Sequence, residues 1–543
     1  MTMACKTTFY LLALCICVSF IFHVCDADAH TQGQDFVFSI PAKRSCSPYI
    51  LLTATSKSAV VTVTVLAFRE QYLVGTTNVV RVVLPPSACV RTSGVNDQSI
   101  NVHSTNTISV HVFSRYNHGN YGGDGFLAIP TGRLGLTYYI ATYQPSSGDH
   151  SFIAISSLDI TTTIEITPRH ESTTQVTIRP YETYVVHYTN IDPTGTHLNA
   201  DHPISVVAGS GCYDNNKCLP LFEQLPPVEE LGWTYFVGPF KGRNSGYACH
   251  IIGASDIPTN IQISNRDSVQ LNSGDIEEIE VRDNSLLEIS ADNPVLVMQY
   301  MKPRDTSFGI PSMVLVTSVD QFSTNISFPV SELSDFTYYV HVSINCLHKS
   351  DLFFDGKTMA DWEVLRNVRG SMCLLRKRTT SGLHNLGHRE NAPFNAIVYG
   401  YKSNTAYAYP AGFNLHRGPA SIEDMVSTPA APTHHVPTTA RHFDNDDDMV
   451  STSAAPTHHV PTTAKDFDND DDMVSTSAAP THHEPTTAKD FDDDDDMVST
   501  FAAPTHHLPT TAKDFDDDDL VRELERLAEE NVSSDNVDNV GGE

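Results

Sequence analysis

A short motif recurs in the first 420 residues at a spacing close to the size of one small β domain. The segment Asp159–Ile166 (DITTTIEI) aligns with Asp256–Ile263 (DIPTNIQI), and Ala200–Val206 (ADHPISV) aligns with Ala291–Val297 (ADNPVLV). The copies lie 97 and 91 residues apart, which indicates a repeated unit of about 80 to 100 residues, the size of a β-sandwich. A chain of 543 residues with such a repeat is predicted to be modular.

Alternating apolar and polar residues indicate that these units are made of strands. Val60–Val65 (VVTVTV) has the period of two that is typical of a half-buried strand, and Gly, Pro, Asn and Asp separate such runs. We therefore predict an all-β fold of tandem β-sandwich-like units followed by a disordered acidic tail. Residues 30–120 form an N-terminal β unit and residues 121–418 about three more. The alternative is a propeller-like ring of four units.

The N-terminus has the pattern of a secretory signal. Phe9–Val24 is an apolar run of about 16 residues, shorter than the about 20 that span a bilayer. Lys6 precedes it and the small-x-small site Ala27–Ala29 follows, so residues 1–29 are predicted to be a signal peptide that is cleaved before His30. An uncleaved anchor is the alternative. We expect a secreted, extracellular protein without a further membrane span.

Cysteine usage agrees with export, because an oxidising compartment favours disulfides. Sequence proximity favours the pairs Cys46–Cys89, Cys212–Cys218 and Cys346–Cys373, although sequence does not fix connectivity. Cys249 is left over, either free or bonded to another chain. Asn325 and Asn531 begin glycosylation sequons.

The charge is concentrated in the last part of the chain. Residues 421–543 hold 30 of the 65 acidic side chains and 6 of the 34 basic ones, within a formal net charge of −31. A nucleic-acid-binding protein needs a basic face to neutralise phosphates, so this class is excluded.

The acidic tail is a low-complexity repeat. A unit of 24 residues recurs with Met425, Met449, Met473 and Met497 in register, and residues 419–518 are predicted to be disordered because like charges and Pro oppose collapse. Residues 519–531 are predicted to form a short amphipathic helix, with residues 532–543 disordered.

The tail is interpreted first as a solvated spacer, with no cofactor required. Its Asp runs are weak candidates for Ca²⁺, because hard cations prefer carboxylates. The candidate ligands are Asp492, Asp493, Asp494, Asp495, Asp496, Asp516, Asp517, Asp518 and Asp519.

No signature of an enzyme is found in the sequence. Motifs for metalloproteases, serine hydrolases, Walker loops and dinucleotide binding are missing. His250, His341 and His384 lie near acidic or hydroxyl residues, but a structural role is the favoured interpretation of each. We expect no enzymatic activity.

One block of residues resembles a known family. Gly209–Cys212, then Cys218–Pro227 with its E-Q-L-P-P segment (Glu223, Gln224, Leu225, Pro226, Pro227), and Gly232-Trp233 resemble the N-terminal domain of IgGFc-binding proteins. The resemblance covers about residues 120–415, without the cysteine-dense von Willebrand D-type modules of long members.

The resemblance implies a secreted, non-enzymatic binding or adhesion protein that recognises an extracellular protein or glycan in mucus, body fluid or matrix. It implies that Cys212 and Cys218 form a staple, Pro226-Pro227 a rigid turn and Trp233 a core anchor. The alternative function is an acidic matrix protein whose Asp-rich tail binds calcium or mineral. The sequence does not indicate an oligomeric state.

Overall fold

The computed structural model describes most of the chain between residues 31 and 415. The described ranges are 31–42, 46–116, 123–145, 148–210, 221–243, 246–282, 285–302, 312–358, 361–366, 371–402 and 405–415. The predicted signal peptide, the tandem repeats and the 519–531 helix lie outside them. Within the described ranges the chain is almost entirely β, with no α-helix, so the predicted fold class is confirmed.

The first two of four units contain seventeen strands. The first unit consists of β1 (Gly33–Phe38), β2 (Ile40–Pro41), β3 (Cys46–Ala54), β4 (Ala59–Val65), β5 (Phe68–Val74), β6 (Val80–Val83), β7 (Cys89–Val90), β9 (Ile100–Tyr116) and β10 (Gly125–Leu127). The intervening strand β8 (Gly94–Asn96) is an edge strand of the second unit's sheet. The second consists of β11 (Gly135–Tyr139), β12 (His150–Ser157), β13 (Thr162–Thr167), β14 (Thr174–Ile178), β15 (Thr183–Thr189), β16 (His197–Ser210) and β17 (Leu221–Gln224). Because β10 pairs with β9, the first unit extends beyond residue 120.

The other two units contain sixteen strands. The third consists of β18 (Gly232–Val237), β19 (Tyr247–Gly253), β20 (Thr259–Ile263), β21 (Val269–Leu271), β22 (Ile276–Val281), β23 (Leu287–Met301) and β24 (Met313–Leu315). The fourth consists of β25 (Asn325–Val330), β26 (Thr337–Asn345), β27 (Leu352–Phe354), β28 (Lys357–Thr358), β29 (Glu363–Arg366), β30 (Met372–Thr379), β31 (Gly382–His388), β32 (Phe394–Lys402) and β33 (Thr405–Pro410). Short 3-10 turns lie at Pro86–Ala88, Thr131–Arg133, Val228–Glu230, Val319–Gln321 and Lys349–Asp351.

One long strand is the centre of each of the first three units. In the first unit this strand is β9, whose first half pairs with β1 and β4 and whose second half pairs with β3 and β10. In the second unit, β16 pairs in the equivalent way with β11, β13, β12 and β17. In the third unit, β23 pairs with β18, β20, β19 and β24. A strand that takes part in two layers joins them at one edge, so each unit is a sandwich-like half-barrel.

The sequence repeat corresponds to one hydrogen bond that occurs in both the second and the third unit. Asp201 precedes the buried half of β16, and its Oδ1 accepts a hydrogen bond from the backbone N of Thr163 at 2.8 Å. Asp292 of β23 accepts the same bond from the backbone N of Asn260, also at 2.8 Å. Both acceptors lie in the A-D-x-P motif and both donors in the D-I-x-T-x-I-x-I motif. The repeated residues therefore fix the pairing of the long strand with β13 and β20.

The central strands are buried on both faces. Along β23, Val295, Val297 and Met301 face the core of the third unit, whereas Leu296, Met298 and Tyr300 face the core of the second unit. Because successive side chains of a strand point to opposite faces, one strand supplies two cores. This explains why these segments are nearly continuous apolar runs rather than alternating ones.

Each unit contributes side chains to the core of a neighbouring unit, and the fourth unit is linked to the first in the same way. Phe222 of the second unit lies in the core of the first, Tyr300 of the third in that of the second, Tyr399 of the fourth in that of the third, and Tyr49 of the first in that of the fourth. The short strands β10, β17, β24 and β33 also contact one another in a cycle. The four sandwich-like units therefore form a closed ring, the arrangement that the sequence analysis kept as an alternative.

Loss of a shared core side chain should destabilise the ring. Phe222 is fully buried and packs edge-on against Phe126, with ring centroids 5.6 Å apart. Phe222→Ala is expected to lower the free energy of unfolding by about 3–5 kcal/mol, because it leaves a cavity between two units. Urea unfolding of the purified protein, followed by tryptophan fluorescence, measures this change.

Ile257→Ala is the matched control, because Ile257 is 60% exposed on the surface. It is expected to change the free energy of unfolding by no more than about 0.5 kcal/mol. Equal stability of the two variants would contradict the shared cores.

Candidate functional site

Two buried carboxylates lie where the four short strands meet. Asp124 directly precedes β10, and its Oδ1 accepts hydrogen bonds from Ser312 Oγ at 2.6 Å and from the backbone N of Gly125 at 3.1 Å. Its Oδ2 accepts one from the backbone N of Met313 at 2.9 Å, and the backbone N of Ala408 lies 3.4 Å from Oδ1. One side chain thus connects β10 with β24 and β33.

The E-Q segment of the family-like block performs the same task from β17. Glu223 Oε2 accepts a hydrogen bond from the backbone N of Leu315 at 3.0 Å. Gln224 Oε1 accepts one from the backbone N of Ile129 at 2.8 Å, and its Nε2 donates to Ser205 Oγ at 2.8 Å. Both side chains are almost fully buried. They fasten strands of different units and are not accessible to a ligand.

Burial controls the ionisation of these carboxyl groups. It raises the pKa of Asp124 from 3.8 to about 8, although the four surrounding donors act in the opposite direction. Burial also raises the pKa of Glu223 well above its usual value, and the nearby charge of Asp124 acts in the same direction. The junction of the short strands is therefore a structural element whose strength depends on pH.

The expectation that Trp233 anchors the core is wrong. Trp233 is 44% exposed, whereas Tyr235, two residues further along β18, is buried. A register irregularity between Gly232 and Thr234 turns the tryptophan to the outside. The Tyr235 hydroxyl donates to the carbonyl of Val295 at 2.6 Å and is the anchor of this strand.

The cysteines are found largely as the sequence predicts. The disulfides Cys46–Cys89 and Cys346–Cys373 are present, and both predictions are confirmed. Cys212 and Cys218 lie outside the described residues. Cys249 is a buried free thiol whose pKa is raised to about 12 by desolvation, so it is not placed to bond another chain.

Most of the residues predicted to carry a glycan or to bind a metal ion lie outside the described residues. Asn325 is exposed at the start of β25, where a glycan has access, and its glycosylation remains a prediction. Asn531 and the candidate Asp ligands of the tail lie outside the described residues. Within the described ranges, no group of three or more His, Cys, Asp or Glu side chains is arranged to hold a metal ion.

The structure brings one His–Asp–Thr constellation together. His384 Nδ1 lies 2.8 Å from Asp355 Oδ2, and its Nε2 lies 3.3 Å from Thr379 Oγ1. The same Nε2 is closer, at 3.0 Å, to the carbonyl oxygen of Thr380. The carbonyl oxygen of Thr380 is nearer to Nε2 than the threonine hydroxyl is, so the geometry is not that of a base aligned with a nucleophile. The arrangement fits a structural clamp.

An open cleft lies between the second and third units. It is lined by Tyr143, Gln144 and Asp192 of the second unit and by His250, Glu278 and Glu280 of the third. Sequence reasoning considered His250 as a structural histidine and missed the other residues of this cleft. They come from four separate segments, so no spacing in the sequence indicates that they meet.

Close contacts between the two units hold the walls of the cleft. Gly195 and Gly274 have φ angles of +87° and +74°, and a Cβ on Gly195 would lie 2.2 Å from the carbonyl oxygen of Gly274. The Tyr300 hydroxyl donates to the carbonyl oxygen of Thr142 at 2.5 Å, next to the cleft. The cleft is thus built on a tightly packed interface rather than on a loose surface loop.

His250 lines the cleft and is largely buried. It lies on β19, opposite Glu278 of β22, and is 4% exposed. Its ring stacks parallel to Tyr143 with centroids 5.6 Å apart and lies 4.5 Å from the ring of Tyr300. Desolvation lowers the pKa of His250, which keeps the imidazole neutral, although Glu278 and Asp192 act in the opposite direction.

The fold and the cleft together define an all-β protein of several sandwich-like units with an open cleft between two of them. The family described as IgGFc binding protein matches residues 124–400, just over half of the chain. The chain belongs to this family, which is a binding-type and typically extracellular family. The matched region begins at the buried carboxylate Asp124 and includes both walls of the cleft.

Other comparisons add little. None of the curated proteins is significantly similar to this sequence. A solved structure of a Ca²⁺-stabilized adhesin that helps an Antarctic bacterium bind ice is 11% identical, over 71% of this chain and 99% of that chain. Its TM-score is 0.11, so the likeness has no bearing on fold or ligand. In the described part of the chain, no helix is long and apolar enough to cross a membrane.

Asp124→Asn should change the pH dependence of stability. Between pH 3.8 and about 8 the folded protein holds a proton on Asp124 that the unfolded chain has lost. The contribution of Asp124 to the free energy of unfolding therefore falls as the pH rises through this window. In Asp124→Asn this fall is expected to disappear, which urea unfolding at several pH values between about 4 and 9 measures.

The exposed Asp267→Asn is the control and should keep the pH dependence of the natural protein. The same slope of stability against pH in both variants would show that Asp124 does not titrate in the expected range.

Proposed function

We propose that this protein is a secreted, non-enzymatic binding protein that recognises an extracellular protein or glycan through its ring of β units. The observation that carries the proposal is the open cleft between the second and third units, in a chain of a binding-type family. The cleft combines aromatic, imidazole and carboxylate groups that converge on one space, as a specific recognition site requires.

The proposal of a non-enzymatic role is supported by the geometry of the histidines. The Nε2 of His384, which has an Asp and a Thr nearby, lies closer to the carbonyl oxygen of Thr380 than to the threonine hydroxyl. His341 is buried against Phe240 and Tyr399, and desolvation lowers its pKa to about 3. Neither is placed to accept a proton from a nucleophile.

The acidic residues 421–543 are proposed to act as a hydrated spacer. The alternative, in which the tail itself binds calcium or mineral, is favoured by the dense Asp runs at 492–496 and 516–519. The two functions differ in which part of the chain holds the ligand.

Capture from extracellular fluid distinguishes them. The immobilised protein and a variant that lacks residues 421–543 are incubated with mucus or body fluid of the source organism, with and without a calcium chelator. The described residues between 31 and 415 form the closed ring, so we expect the truncated variant to keep its fold. We expect both proteins to retain the same saturable protein or glycan in chelator.

Loss of all capture on removal of the tail, or on addition of chelator to the full chain, would assign the function to the tail. The β units would then be scaffold only.

Secretion is tested separately. We expect the protein recovered from the culture medium of expressing cells to begin at His30, as determined by N-terminal sequencing. Protein that retains residues 1–29 and stays with the membrane fraction would contradict a cleaved signal and support the uncleaved anchor.

A further inference from the structure

The cleft contains a buried polar group without a partner. His250 is 4% exposed, and its Nδ1 is buried and makes no hydrogen bond. Its Nε2 lies 4.0 Å from Glu278 Oε1, beyond hydrogen-bond distance. Nearly all buried polar side chains in proteins have a partner, so an imidazole that lines a cleft without one is a candidate for a hydrogen bond to a ligand.

The charged groups around this imidazole are acidic. Glu278 of β22 and Asp192 of the second unit are the charges that act on His250. Glu280 also lines the cleft, but Lys302 at 2.6 Å and Arg282 at 3.3 Å already pair with it. Glu278 is 68% exposed, and among the described residues no cation pairs with it. The cleft therefore offers an uncompensated carboxylate beside a hydrogen-bond acceptor.

Aromatic rings lie beside the imidazole and the carboxylates of the cleft. The Tyr143 ring stacks on His250 with only 8° between the planes, and its centroid lies 4.8 Å from that of Tyr300. Flat π surfaces attract planar cations, which also stack on them. A neutral imidazole, a free carboxylate and an aromatic face together match a planar cation with several N–H donors.

We propose that this cleft binds the guanidinium group of an arginine side chain presented by a partner polypeptide. The guanidinium has five donors in a fixed planar fork, whereas an ammonium is a compact point charge that neither stacks nor bridges. One donor reaches the imidazole and others reach Glu278, while the plane of the group lies on the aromatic face. The inference rests on the proposed binding function and names the chemistry of the ligand at that site.

Binding of small probes tests the proposal on the full chain. Isothermal titration calorimetry at low salt measures the affinity for N-acetyl-arginine methylamide, with the citrulline and lysine analogues as comparisons. Citrulline has nearly the shape of arginine without its charge. We expect saturable binding of the arginine probe, and dissociation constants at least about tenfold higher for both analogues.

Two substitutions locate the site. Glu278→Gln removes the exposed carboxylate without disturbing the core and is expected to weaken the arginine probe about fivefold. Glu277→Gln is the matched control, because Glu277 pairs with Ile251 on the other face of β22. It should leave the affinity unchanged. His250→Phe keeps the stacked ring but removes the acceptor, and it should weaken binding at least as much as Glu278→Gln.

Equal binding of the arginine and citrulline probes, or equal loss in the Glu277→Gln and Glu278→Gln variants, would overturn the proposal. So would equal binding of the lysine and arginine probes, since it would leave no role for a planar group. If the arginine probe fails to bind while the full chain still captures its partner, this inference falls and the proposed function stands. If capture fails as well, both fall.

Discussion

Burial of the central strands on both faces is the constraint on which the rest of the structure depends. A strand such as β23 alternates between its own core and that of the preceding unit, so no unit has a complete core alone. Because neighbouring units share their cores around the ring, the stability of each unit depends on the units beside it. The walls of the cleft belong to two units that share a core, so the cleft is built on the packed interface between them.

The junction of the four short strands adds a polar fastening to this apolar framework. Asp124 and Glu223 satisfy backbone donors of other units that would otherwise be buried without partners. Burial of such side chains costs free energy of solvation. Their hydrogen bonds, however, form in this arrangement of strands and in few others, so they favour it specifically. Glu223 and Gln224 thus help to assemble the ring, whereas the candidate site for recognition lies at the interface between the second and third units.

Much of the fold could be predicted from local patterns, because strand alternation and the repeated A-D-x-P motif are properties of short segments. The closure of the ring could not, because it depends on contacts such as the hydrogen bond between Tyr49 and Ser331, which are 282 residues apart. The prediction for Trp233 failed because one irregular residue in β18 reverses the inward and outward positions. The cleft was missed because Asp192, His250 and Glu278 meet only after two units have packed together.

The two ends of the described chain are neighbours. The backbone N of Thr31 donates to the carbonyl of Phe413 at 3.2 Å, and the backbone N of Phe413 lies 3.3 Å from Thr31 Oγ1. An open row of β units can grow by adding another copy at either end, but a ring sealed in this way has no vacant edge to receive one. A segment that extends the chain before Thr31 or beyond Leu415 therefore leaves the ring at this one seam.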